Sequence, residues 1–197
     1  MKTLLLDLEK KLIEKKNPIL DYLDPPSGNF DEQRFIELTR KLKLEPSSDL
    51  IDLYSWKKGL KGELALDISF DYRMFSFGSP IFYKDTSNLY ILDKSTNGLF
   101  TGKYLPFVFH GILEDPILID LSKRSKTRGS IYYFCPNVTL SATPVQIYDS
   151  LQSMIESIIE CYQKEAYIID EAGLLDVNDL EQEITRKLNP KSDYWDY

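Results

Sequence analysis

The stretch from Lys103 to Asn137, KYLPFVFHGILEDPILIDLSKRSKTRGSIYYFCPN, constrains the fold more than any other part of the chain. It holds three short apolar runs separated by breaks. In Tyr104 to Phe109, Leu105, Phe107 and Phe109 recur at the two-residue period that puts side chains on one face of a strand. Pro116 to Leu121 and Ser130 to Phe134 are equally strand-like, with Gly111 and the loop ending at Gly129 as the reversals. Consecutive strands joined this closely pair with each other, so a small meander is expected.

Helical spacing surrounds this segment. Over residues 4 to 16, Leu5, Leu8 and Leu12 fall on one stripe, and Lys10, Lys11, Lys15 and Lys16 gather toward the end where the helix dipole favours cations. Asp24-Pro25-Pro26-Ser27-Gly28-Asn29 then breaks the chain. A second helix is expected from near Asp31 with Phe35, Leu38 and Leu42 inward, and a third from a Ser47 or Ser48 cap to just before Gly59. Alternation through Leu64, Leu66, Ile68 and Phe70 predicts a strand, and Arg73 to Tyr83 contains another; Asp85 to Lys94 fits a short helix or a strand equally. Thr143 as cap, Pro144 at the first helical position and Gln146 three residues after the cap predict a long helix from that point. Its core face reads Ile147, Leu151, Met154, Ile155, Ile158 and Cys161. A last helix follows Asp176, with Val177, Leu180, Ile184 and Leu188 at helical spacing, Pro190 as the stop, and Asp179, Glu181 and Glu183 on the opposite face. The expectation is an α+β single domain over residues 1–197: a central, mostly antiparallel sheet with helices packed around it. Residues 1–29 form an N-terminal helical extension, which packs on the sheet or mediates dimer contacts, and 165–197 form an acidic helical segment.

The ordered set of a YLPF opening at Tyr104, a reversal carrying an acidic residue, an apolar strand ending Ile119-Asp120-Leu121 and a Gly-led strand resembles the core of the SUKH superfamily, the Smi/Knr-like proteins. The segment Leu50 to Leu60, LIDLYSWKKGL, and the long amphipathic helix after the meander extend the resemblance from about Phe30 onward. Two positions depart from the pattern: Thr101-Gly102-Lys103 stands where a tryptophan often precedes the YLPF-like opening, and Lys58-Gly59-Leu60 replaces an Asn-Gly turn. The resemblance implies a cytosolic protein-binding module, used in bacteria largely as an immunity protein against polymorphic toxins and in fungi as a regulatory scaffold. It implies no active site.

The N-terminal MKTLLLDLEKKL has three consecutive leucines before Asp7, short of a signal-peptide core, and no run reaches the roughly 18 apolar residues of a membrane span. A cytosolic location with no membrane contact is expected. Cys135 and Cys161, at a strand end and on an apolar helix face, are expected as small buried hydrophobes. The net charge of -7 is uneven: residues 165–197 carry nine acidic against three basic residues, leaving about -1 for the first 164. That balance lacks the basic footprint of a general nucleic-acid binder and favours a basic protein partner.

Catalytic patterns are weak. His110 is the only histidine, which excludes paired-histidine zinc sites, and no Gly-x-Ser-x-Gly elbow presents a serine to it. Glu114 and Asp115, adjacent on a turn, are expected to be solvated charges. Asp176-x-Asn178 begins like a calcium loop, but Leu180, Glu181 and Lys187 stand where a ligand, a glycine and a bidentate Glu are needed. Lys123, Arg124, Lys126 and Arg128 lack the glycine-rich strand-to-helix context of a phosphate cradle and read as a solvated hairpin loop. Thirteen tyrosines suit core, sheet and interface alike. The terminal Asp193-Tyr194-Trp195-Asp196-Tyr197 is expected to fold back and pack. No catalytic, cofactor-binding or metal-binding residue is expected, and the chain is not expected to be an enzyme. The expected partner-binding residues are Asp170, Glu171, Asp176, Asp179, Glu181 and Glu183, an acidic surface meeting the cationic face of a cognate toxin. The alternative is a cytosolic regulatory or scaffolding role with a host protein.

Overall fold

A computed structural model describes residues 1–24, 30–60, 72–80, 102–110 and 112–196. The expected strand through Leu64 to Phe70, the undecided segment Asp85 to Lys94, and the side chains of His110, Glu114 and Asp115 lie outside what it describes. The meander forms in the expected order, but its second strand begins at Ile112, so the backbone of Glu114 and Asp115 lies in a strand and not on the expected turn. Strands β1 (Ser79–Pro80), β2 (Tyr104–His110), β3 (Ile112–Asp120), β4 (Ile131–Tyr133) and β5 (Val145–Tyr148) are antiparallel neighbours in that order. Leu105, Ile119 and Ile131 align across β2, β3 and β4 and face the main core. Leu118 and Tyr132 align on the other face, where Tyr104 and partly buried Phe134 join them. A register shift between Pro106 and Val108 interrupts the two-residue alternation, so both Phe107 and Val108 enter the main core.

Seven helices pack around the sheet among the described residues: α1 (Lys2–Glu14), α2 (Ile19–Tyr22), α3 (Glu32–Lys41), α4 (Ser48–Trp56), α5 (Pro136–Thr139), α6 (Leu151–Gln163) and α7 (Leu180–Leu188). None is long and apolar enough to cross a membrane. Asp31 caps α3 and Ser47 caps α4, as their spacing predicts. Helix α1 is a core element: Leu5, Leu8 and Leu12 are buried against α6 and α4. Asn17, buried behind it, donates to the Arg73 carbonyl and the Tyr162 hydroxyl, and that hydroxyl donates to the Met74 carbonyl. The N-terminal segment, α6 and the turn before β1 are thereby tied together. A two-stranded hairpin, β6 (Tyr167–Ile169) with β7 (Leu175–Val177), follows α6. Cys135 and Cys161 are both free and buried.

The long helix starts later than its capping pattern predicts. Val145 to Tyr148 pair with β4 instead, because a β-branched, aromatic run beside an open strand edge gains cross-strand partners that a helix there lacks. Helix α6 begins at Leu151, where Ser150 and Ser153 cap each other reciprocally at 3.0 Å. The predicted core face holds from there on: Leu151, Met154, Ile155, Ile158 and Cys161 are buried.

The C-terminal segment folds back over β5. Ser192 Oγ donates to the Gln146 carbonyl at 2.8 Å and Trp195 Nε1 to the Ile147 carbonyl. Side-chain donors thus occupy carbonyls of β5, the outermost strand on this side among the described residues. Trp195 is buried among Phe77, Tyr148 and Tyr194, with ring centroids 5.1 to 5.9 Å away. Trp195→Ala is expected to lower the unfolding free energy by about 3–5 kcal/mol. Trp195→Phe, which keeps a ring but removes the donor, lowers it by about 1–2 kcal/mol; urea denaturation measures both.

Candidate protein-binding surface

The hairpin β6–β7 and the first turns of α7 carry the expected partner-binding acids. Register places Tyr167 opposite Val177, Ile168 opposite Asp176 and Ile169 opposite Leu175. By the strand period, Tyr167 and Leu175 turn inward and are buried, while Ile168 and Asp176 share the outer face. The tip is rigidly built. Asp170 Oδ1 accepts from the Ala172 and Leu174 amides at 2.9 and 2.8 Å. Gly173 has φ +83°, and a Cβ there would lie 3.0 Å from Pro18 Cγ and 3.3 Å from the Tyr72 ring, so the tip is seated on the segment after α1. Asn178 joins the hairpin to α7: its amide donates to the Glu165 carbonyl at 2.8 Å and its oxygen accepts from the Leu180 amide at 3.0 Å.

Asp170, Glu171, Asp176, Asp179 and Glu183 are all exposed on this construction. Between them stand three large apolar side chains that no charge pattern pointed to. Ile168 is 46% exposed, Leu174 41% and Leu180 44%. Singly exposed aliphatics are ordinary on a protein surface, but beside carboxylates they add apolar area to whatever contact the acids make. From Glu165 to Thr185 the sequence contains no lysine or arginine; the cations beside this stretch are Lys15, 3.5 Å from Glu165, and Lys164 at the end of α6. Carboxylates and alkyl side chains together recognise by charge and by burial.

Glu181 corrects the expected set. It does not face solvent with Asp179 and Glu183; it is buried. Glu181, Ile184, Thr185 and partly buried Leu188 form the inward stripe of α7, at spacings of three, four and seven residues, and Leu180 is displaced outward. The Glu181 carboxylate receives the Tyr167 hydroxyl and the Ser76 hydroxyl. Beside it, the Arg73 guanidinium donates to the carbonyls of Ser76 at 3.1 Å and Leu175 at 3.2 Å. Burial pushes the Glu181 carboxyl above its ordinary range, an effect that the two hydroxyl donors and Arg73 only partly offset. The same burial, reinforced by the Glu181 charge, pushes the Cys161 thiol up to about 12, so it stays protonated.

No family model matches the chain, and no curated protein matches it.

A recess borders α7 at Gln182. It is an open cleft of about 490 Å³ lined by Val138, Val145, Gln182, Asp193, Tyr194 and Trp195, among others. Val138 and Leu140, 63% and 90% exposed, stand in the connection between β4 and β5 that borders it. Aliphatic surface is thus uncovered both at the acidic hairpin and beside this cleft.

Because Glu181 binds its proton more tightly in the folded chain than unfolded, its stabilising contribution is complete below pH 4.5 and is lost as pH rises through the raised value. The melting temperature of the wild type minus that of Glu181→Gln is expected to increase as pH is lowered from 7 toward 4.5. A difference that does not change across this window would mean that Glu181 does not titrate there.

Proposed function

We propose that the chain is a cytosolic, SUKH-like protein-binding module that neutralises a toxin by covering its cationic face with the β6–β7 and α7 surface. The observation that carries this is the juxtaposition of five exposed carboxylates with Ile168, Leu174 and Leu180 on a stretch devoid of cations. Toxins that cut nucleic acid carry cationic faces because they must hold phosphates. Exposed charge pairs contribute only about 0–1 kcal/mol each, whereas burying one aliphatic side chain completely contributes about 1.5–3 kcal/mol. The acids therefore set the rate and selectivity of encounter, and the three aliphatics hold the complex. The ordered motif set that resembles the SUKH core supports a protein-binding role, and gene neighbourhood separates an immunity role from a host-scaffold role. A toxin gene beside this one would support the immunity role.

Co-expression with the product of the neighbouring gene, followed by co-purification at low and high salt, tests the proposal. A complex is expected whose association slows by about tenfold or more in Asp176→Lys/Asp179→Lys and at high salt. Leu174→Asp/Leu180→Asp is expected to speed dissociation instead, read by surface plasmon resonance. Absence of a complex, or a complex indifferent to both pairs of substitutions, would overturn it.

A further inference from the structure

Three segments far apart in sequence meet at the end of the sheet where β3 hands over to β4. The Glu45 amide donates to the Leu121 carbonyl at 3.1 Å, the Leu121 amide to the Lys103 carbonyl at 2.8 Å, and the Gly102 amide to the Leu42 carbonyl at 3.1 Å. These bonds gather cations that the sequence scatters. Lys41 and Lys43 come from the end of α3, Lys103 from the turn before β2, and Lys123, Arg124, Lys126 and Arg128 from the β3–β4 loop; all are exposed.

The loop that carries most of them is ordered from within. Asp120 is fully buried, and its carboxylate accepts from the Ser122 amide at 3.0 Å, Ser125 Oγ at 2.5 Å and Thr127 Oγ1 at 3.0 Å. Its own carbonyl accepts from the Gly129 amide at 2.8 Å. The cations thus project from a loop whose conformation is already set. Glu45 is the acid among them, 3.9 Å from Lys123 and 3.3 Å from Arg128. Lys41, Lys43, Arg124 and Lys126 form no ion pair with a described acid, and the Lys103 ammonium lies 4.7 Å from the Tyr104 ring centre.

We propose that this end binds the phosphate backbone of a nucleic acid without reading its bases. Composition of the surface selects that occupant. None of the exposed large apolar side chains lies in these three segments. A protein partner would therefore meet isolated exposed ion pairs, which contribute little against the cost of association. Stable membrane attachment takes a second, apolar signal, which these segments do not provide. A phosphate backbone needs only cations, because each one neutralised releases condensed counterions.

The net charge of -7 does not oppose this locally. Ser130 Oγ donates to the Asp149 carbonyl at 3.0 Å, placing the loop beside the N-terminus of α6, while the acidic hairpin follows the C-terminus of that helix. Thirteen residues at a 1.5 Å rise put roughly 20 Å between the two poles. That is more than twice the ~8 Å screening length at physiological salt.

The test needs no protein partner, so its failure would leave the toxin-binding proposal untouched. Fluorescence anisotropy of the full chain with a labelled 20-base-pair DNA duplex and a 20-nucleotide RNA is expected to show binding at 50 mM KCl, with log K falling against log salt with a slope of about -4. Lys43→Glu/Arg124→Glu/Lys126→Glu, which leaves Lys103, Asp120, Ser125 and Thr127 in place, is expected to weaken binding at least tenfold and flatten the slope, with an unchanged thermal melt. Asp176→Lys/Asp179→Lys at the far pole, compared with the wild type at physiological salt where the screening length is ~8 Å, is expected to leave the affinity within about twofold. No binding to either oligonucleotide, equal binding by the triple variant, or binding of phosphatidylglycerol vesicles without oligonucleotide binding would each overturn the proposal.

Discussion

Burial of α6 is the constraint from which the other parts follow. Nine of its thirteen residues are buried, so it is apolar around most of its circumference and is stable only when enclosed. Helix α1 covers one side with Leu5, Leu8 and Leu12, and α7 covers another. The few polar groups on it are satisfied internally: Ser157 Oγ donates to the Ser153 carbonyl at 2.8 Å, and the Asn189 amide reaches Ser157 Oγ at 3.0 Å. Asn189 also receives the Asp149 amide at 2.9 Å. One side chain thus fixes the end of α7 to the beginning of α6, and the C-terminal segment is directed across β5 from there.

Enclosing α6 also explains the buried carboxylate. The stripe by which α7 docks begins at Glu181, and on the other side of that contact stand Tyr167 and Ser76. The Tyr167 hydroxyl lies 3.4 Å from Ser76 Oγ, so an aliphatic residue there would leave one of the two hydroxyls short of an acceptor, whereas a carboxylate takes both. The cost is desolvation of an acid, visible as its raised pKa. What is gained is a polar contact that ties the 72–80 segment to the base of the acidic hairpin, so the exposed face stands on a fixed support. Specificity of packing from a satisfied buried polar group is consistent with this arrangement.

Much of the fold was legible because it rests on local periodicity. The alternation in Leu105 and Phe107, the stripe of Leu5, Leu8 and Leu12, and the Asp31 and Ser47 caps all depend on neighbours within a few residues, and the structure has them. Thr143-Pro144 misled for the complementary reason. Its capping chemistry is local, but β5 pairs with β4, a contact that no short window contains. Five of the six expected acids lie on the surface, since charge alone predicts exposure well. Glu181 escaped because adjacent positions 180 and 181 compete for the same inward place, and the donors that decide it lie at Ser76 and Tyr167. Ile168, Leu174 and Leu180 had no signal of exposure, because an aliphatic in a strand or helix is ordinarily a core residue.

The two charged poles differ in how each is made. The acidic pole is contiguous in sequence, and its hairpin can change charge without disturbing the core, since Asp176, Asp179 and Glu183 point to solvent. The basic pole exists only when the chain after α3, the turn before β2 and the β3–β4 loop are stitched together, and its loop depends on the buried Asp120 carboxylate. An unfolded or partly folded chain therefore presents acids before it presents a cationic surface. Helix α6 then holds the poles apart with its own dipole oriented in the same sense, positive at the Ser150 end near the basic loop and negative toward the hairpin. With opposite charge kept at opposite ends of one rigid helix, neither surface is neutralised by the other within the same molecule.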